Sequence, residues 1–263
     1  IEKFNEHRFN VINKGRQLGI STTAAAYICW MMLFHRDKNI LVVATKLSTA
    51  SNLVKKVKFM MKSLPDWMMI AKITTDNKNS FELANGSQIK ASSTSGDAGR
   101  SEALTLLVID EAAQAVEPST LVPLCYGAKQ VFLVGDPRQL PATVLSSIAT
   151  DHNYDQSLFK RFEQCGYPIH LLKTQYRMHP AIREFPSTQF YSGELEDGPK
   201  MAAKTKRPWH DNMLFRPFVF IDVAGKEYQG GGMSWANDDE ATLAVALVAT
   251  LVKNYAELAS GEK

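Results

Sequence analysis

Two acidic side chains, Asp110 and Glu111, follow the apolar run 104–109 with nothing between them. Carboxylates at the exit of a buried strand are costly unless a cation sits beside them. Metal-assisted attack of water would use both: the first carboxylate on the metal, the second taking the proton from water. The same pair also suits a helix start, where acidic groups meet the positive end of the helix dipole. A second stretch bears on the choice. KGRQLGIST, residues 14–22, places two glycines ahead of a long apolar run. A glycine-bearing turn at the head of a helix gathers backbone N–H groups around an anion. Phosphate loops of the form GxxxxGK[ST] use Lys for the β/γ-phosphates and Ser or Thr for magnesium. Gly19 and Ser21 fit that spacing, Ile20 stands in the lysine position, and Lys14 stands where the first glycine would be. Together the two stretches imply ATP, with Mg2+ shared between Ser21 and Asp110, and Glu111 as the base that orients and deprotonates water.

Such residues need elements to hold them. Residues 9–13 read as a short strand, about 21–35 as an apolar helix, and 39–45 as a strand buried on both faces. A helix is expected over 48–64, with Ser48 or Thr49 as N-cap and Pro65 as its stop. Asn85-Gly86 marks a hairpin within 81–91, and strands follow at 104–109 and 130–135. Strand and helix in alternation imply a mainly parallel α/β sheet, whose ligands sit at the carboxyl ends of the strands. A second unit is expected from about residue 166, with strands at 169–174 and 218–223 and a helix over 238–258 capped by Asn237.

The chain of 263 residues is long enough for one large or two modest domains, and its 45% hydrophobic share is that of a soluble globular protein. A net charge of +3 permits a nucleic-acid partner without demanding one. Three scattered cysteines, Cys29, Cys125 and Cys165, form no CxxC pair, which argues against a disulfide framework or zinc site and for a reducing, intracellular setting. The longest apolar run, 24–34, is too short to span a bilayer. No signal peptide is expected, although the sequence begins in mid-pattern.

RFNVINKGRQLGIST, NILVVATKLSTASNLV and ELANGSQIKASSTSGDAGR, within residues 1 to about 113, resemble the ATPase of the large terminase subunits of tailed phages. On that resemblance Lys14, with Arg16, supplies the phosphate charge that Ile20 cannot. The nucleotide-binding set is then Lys14, Gly15, Arg16, Gly19, Ser21 and Thr22. From about residue 105 onward, GDPRQLPATV, QYRMHP, QSLFKRFE, FPSTQFYSGEL and KRPWH resemble superfamily 1 helicases of the senataxin-like group. This second resemblance implies that Gln139 senses the γ-phosphate and that Arg177 acts as an arginine finger from a second domain. It also implies a RecA-like P-loop domain over 1–165 and a partial second RecA-like domain over 166–263.

The leading expectation is an ATPase of helicase type acting on single-stranded RNA or DNA. Residues 44–52, with Lys55, Lys56 and Lys58, are candidates for strand phosphates, and Pro141 and Thr143 belong to the same face. A DNA-packaging ATPase, with duplex DNA as partner and Arg100 as finger, stays open. So does a nucleotide-binding protein that does not turn over, motivated by Ile20. No membrane partner is expected.

Overall fold

The structure, a computed structural model, describes residues 4, 6–14, 19–94, 103–230 and 234–255. The chain divides into two compact units, Ile1–Thr174 and Gln175–Lys263. The first contains β1 (Phe9–Lys14), α1 (Ile20–Phe34), β2 (Asn39–Ala44), α2 (Leu47–Lys62), β3 (Ile73–Asn77), β4 (Ser80–Leu83) and β5 (Gln88–Ser93). It continues with β6 (Leu106–Asp110), α3 (Glu117–Leu124), β7 (Gln130–Gly135), α4 (Ser147–Asp151), α5 (Leu158–Gln164) and β8 (Ile169–Leu172). These strands form one eight-stranded sheet in the order β3-β4-β5-β2-β6-β7-β1-β8. Neighbours from β5 to β8 pair in parallel, while β3, β4 and β5 form an antiparallel meander.

The continuous apolar strands are buried on both faces because the pleat sends alternate side chains to opposite sides. Ile12, Ile40, Val42, Leu106, Val108, Phe132 and Val134 face α1 and α2 in one core. Val11, Leu41, Val43, Leu107, Ile109, Val131 and Leu133 face Leu158 and Phe159 of α5 in the other. At the centre of the first core, the Phe132 ring lies 4.6 Å from Phe4 and 5.7 Å from Tyr27.

Some local expectations are corrected. The N-cap of α2 is Lys46, with no side-chain cap, so Ser48 and Thr49 fall inside its first turn. The sequence put the unit boundary at 165/166, whereas the contacts divide the chain after Thr174, and Ile169–Leu172 pairs with β1.

The second unit contains β9 (Thr174–Gln175, shared with the boundary), α6 (Pro180–Phe190), β10 (Glu196–Asp197), α7 (Met201–Thr205), β11 (Tyr228–Gln229), β12 (Trp235–Ala236) and α8 (Asp238–Asn254). Asn237 caps α8 as expected, its side chain accepting from the N–H groups of Asp239 and Glu240. Residues 218–223 form no strand, and Phe218 and Phe220 are exposed. Their apolar letters satisfy a strand pattern, but a strand forms only where a neighbour takes its backbone hydrogen bonds. No strand among the described residues pairs with this segment.

Replacing Phe132 by Ala should remove about 3–5 kcal/mol of stability, the usual cost of deleting a fully buried aromatic ring. A denaturant melt reads this directly, and an unchanged midpoint would mean the Phe4–Tyr27–Phe132 cluster is not part of the cooperative core.

Candidate nucleotide site

The carboxyl ends of β6, β7 and β1 lie side by side. Asp110 is level with Val134, and Asn13 with Gly135. Across this edge the Lys14 ammonium comes 2.9 Å from Asp110 Oδ1, with the two side chains only 18% and 13% exposed. The cation beside the first carboxylate is therefore Lys14. The same Oδ1 accepts the backbone N–H of Glu111 at 3.1 Å. A divalent ion on that oxygen and the lysine ammonium would compete for it, so Lys14 and Asp110 act as one electrostatic unit.

Glu111 has φ 56° and ψ 37°, the left-handed region that L-residues enter at a cost of about 1–2 kcal/mol. Non-glycine residues held there cluster at functional sites. The chain then enters a short 3-10 turn, Ala112–Gln114, with Ala112 and Ala113 buried. Gly135 at the end of β7 makes this packing possible. A Cβ on Gly135 would lie 2.8 Å from the Ala113 nitrogen and 3.2 Å from that of Ala112. Gly135 was not singled out from sequence; the available signal was a glycine closing an apolar strand, where backbones approach closely.

Directly after Gly135, Asp136 is 5% exposed. Its Oδ1 accepts the Arg138 backbone N–H at 3.0 Å, and its Oδ2 accepts Gln139 Nε2 at 2.6 Å. Asp136 thus anchors the amide of Gln139. It too was missed, although an Asp that folds its side chain onto the backbone two residues on is a known turn device.

Gly19 opens α1 with φ +83°, a conformation that favours glycine, and the helix start has no side-chain cap and no acidic residue in its first turn. The start of this 15-residue helix carries a positive dipole end, and the Thr22 and Thr23 N–H groups donate to the Gly19 carbonyl. Ser21 is half-buried and Thr22 exposed. Thr22 borders a cavity of about 420 Å3 with Lys55, Lys56, Phe59 and Met60. Phe59 is 74% exposed there, an aromatic face the sequence reading passed over. Lys58 is occupied elsewhere, 2.9 Å from Asp76 and donating to the Asn77 carbonyl. Gly15, Arg16 and Arg100 lie outside the described residues.

In the second unit Gln175, 1% exposed, organises the turn that carries Arg177. Its Oε1 accepts the N–H groups of Arg177 and Met178 at 2.8 and 2.6 Å. Its Nε2 donates to the Met178 carbonyl and to Asp197 Oδ1. Arg183 completes the cluster, 2.8 Å from Asp197 Oδ2. This guanidinium, followed by the Gln175 amide, holds the Asp197 carboxyl below the usual carboxylate range against the opposing effect of burial. Arg177 itself is exposed and makes no ion pair among the described residues.

No cluster of three or more His, Cys, Asp or Glu that could cage a metal occurs among the described residues. Mg2+ does not need one, since it is commonly held by one or two carboxylates together with substrate phosphates. A partly exposed Asp110 could supply one such carboxylate.

Gly135→Ala should cost about 1–3 kcal/mol by overpacking, and intrinsic fluorescence in denaturant would measure it; an unchanged midpoint would show that the 112–114 turn relaxes freely. For Asp197, a depressed folded pKa contributes stability that is present above about pH 3.9 and lost as pH falls through its lower folded value. Asp197→Asn should therefore be less stable than the parent at pH 6, with the difference vanishing in acid. A gap that persists below pH ~2 would contradict this.

Two family models, each described as an AAA domain, match residues 87–147 and 154–261. The Probable helicase MAGATAMA 3 of Arabidopsis thaliana is 53% identical over 161 residues, 60% of this chain and 20% of that protein. Helicase SEN1 of Saccharomyces cerevisiae is 46% identical over 151 residues, 57% of this chain and 7% of that protein. The chain thus spans a fifth or less of the length of these relatives. Among solved structures, the HK97 bacteriophage large terminase aligns with a TM-score of 0.48 at 16% identity, over 75% of this chain and 42% of that one. That likeness is too distant to bear on function. From residue 87 to 261, the chain resembles the AAA domains of superfamily 1 helicases of the senataxin-like group.

Proposed function

We propose that the chain hydrolyses ATP with Mg2+ and couples hydrolysis to single-stranded RNA or DNA in the manner of a helicase. The observation that supports it is the 2.9 Å contact between Lys14 and Asp110 across the carboxyl ends of three parallel strands. That contact joins the start of the phosphate-type loop to the carboxylate pair, as a triphosphate site requires.

In this reading the N–H groups at the head of α1 and the Lys14 ammonium bind the phosphates, a task helix starts perform well. Ser21 and Asp110 would hold Mg2+, which supplies charge neutralisation for phosphoryl transfer. With Asp110 committed to Mg2+, the Lys14 ammonium would be available to the phosphates. Glu111, one residue beyond, orients the attacking water and takes its proton. Gln139, fixed by Asp136, reads the γ-phosphate. Residues 166–263 are then part of a second RecA-like domain, and Arg177, on the turn that Gln175 holds, is the candidate arginine finger of the helicase-type reading. The three cysteines are free, which suits an intracellular setting.

Glu111→Gln should lower kcat by about 100- to 10,000-fold, the range expected for a general base, while nucleotide binding survives. Steady-state hydrolysis and nucleotide titration separate the two, and an unaltered rate would end the enzymatic reading. The parent should be stimulated most by single-stranded polymer; stimulation by duplex DNA instead would favour a packaging ATPase.

A further inference from the structure

The second unit holds a cleft of about 470 Å3 lined by His179, Ala202, Ala203, Lys206, His210, Arg216 and Pro217. Two cations and two imidazoles converge on it from separate segments: the start of α6, the chain after α7, a 3-10 turn at Pro208–Asp211, and residue 216.

The tautomers of both histidines follow from their hydrogen bonds. His179 Nδ1 accepts the Ala181 backbone N–H at 3.2 Å, and His210 Nδ1 accepts that of Arg207 at 3.2 Å. A backbone N–H can only donate, so each Nδ1 is unprotonated and each neutral ring carries its proton on Nε2. The rings stand edge to face, 5.6 Å apart. Burial first, and then neighbouring positive charge including that of Arg207 and Lys206, pushes the His210 imidazolium toward its neutral form, with Asp211 opposing. The cleft is therefore bordered by two imidazoles that carry Nε2–H donors in their neutral form and by the side chains of Lys206 and Arg216.

The cations differ in how free they are. Arg207 is committed to the backbone, its Nη1 donating to the carbonyls of Lys204 and Lys206. Among the described residues, Lys206 has a loose partner in Asp211, at 3.5 Å with both side chains largely exposed. Arg216 makes no ion pair among the described residues. The surrounding run 200–210, KMAAKTKRPWH, bears four Lys or Arg and no acid. Donors in a cleft set within a basic strip suit one phosphate of a chain of phosphates better than an isolated small anion.

We propose that this cleft binds a backbone phosphodiester of a single-stranded polynucleotide, with Lys206 and Arg216 supplying charge and His179 and His210 donating from Nε2. The proposal rests on the nucleic-acid reading above, and it gives the second unit a strand contact of its own.

The test is fluorescence anisotropy of the full chain with a labelled single-stranded RNA from 50 to 200 mM salt. Replacing Lys206 and Arg216 together by Ala should weaken binding and flatten the log–log salt slope by about 1.4, at roughly 0.7 per phosphate contact on a single strand. Hydrolysis without polymer should be unchanged, since neither residue belongs to the nucleotide site. A charge-matched control, Lys129→Ala with Lys253→Ala, should leave the slope as in the parent. If the parent binds and the Lys206/Arg216 variant matches it in affinity and slope, the cleft is overturned and the helicase-type reading stands. If the control flattens the slope equally, overall charge and not the cleft is responsible. If the parent does not bind RNA at all, both readings fall.

Discussion

The Lys14–Asp110 pair depends on three strands ending at the same level. Lys14 closes β1, Asp110 closes β6, and β7 lies between them, so the ammonium must reach across a whole strand to make its contact. Beside it, Gly135 ends β7 without a side chain and lets the 112–114 turn pack against the strand end. The pair also removes two charges from much of the solvent. Deleting one partner of such a pair leaves the other with its desolvation cost uncompensated, which is why partly buried ion pairs tolerate single substitutions poorly. Parallel register, glycine and ion pair are therefore one arrangement.

β6 is hydrogen-bonded to β2 on one side and to β7 on the other. Packing is continuous across the three strands: Val42, Val108 and Phe132 share one core, and Leu41, Leu107 and Leu133 share the other. Alternating burial asks of each strand only apolar side chains of suitable volume on both faces.

Much of the first unit was legible in the sequence. NILVVAT reads as a doubly buried strand because nothing polar interrupts it, QVFLVG reads as a strand, and Asn85-Gly86 marks its turn as a dipeptide that suits a tight hairpin. The carboxylate pair was legible as well, but its partner was not: Lys14 lies 96 residues away, and pairing at that separation is set by strand order, which local periodicity does not carry. Gly135 and Asp136 were passed over for a related reason. Their roles are contacts with the Ala112–Ala113 backbone and with Gln139, visible only once β7 is seated beside β6. In the second unit, residues 218–223 show the opposite failure, where a correct apolar pattern lacks the neighbour that would turn it into a strand.

The Gln175 amide has a consequence for Arg177. With its oxygen taken by the turn and its nitrogen shared between the turn and Asp197, Gln175 pins the backbone at 177 like a shoulder, while the guanidinium beyond it is an exposed arm with no ion pair among the described residues. Whatever anion that arm meets, the ordering cost is confined to one side chain, about 2 kcal/mol of rotamer freedom, and no loop has to be recruited. Its grasp is then set by the length and flatness of arginine, so a shorter or rounder cation on the same shoulder would fall short.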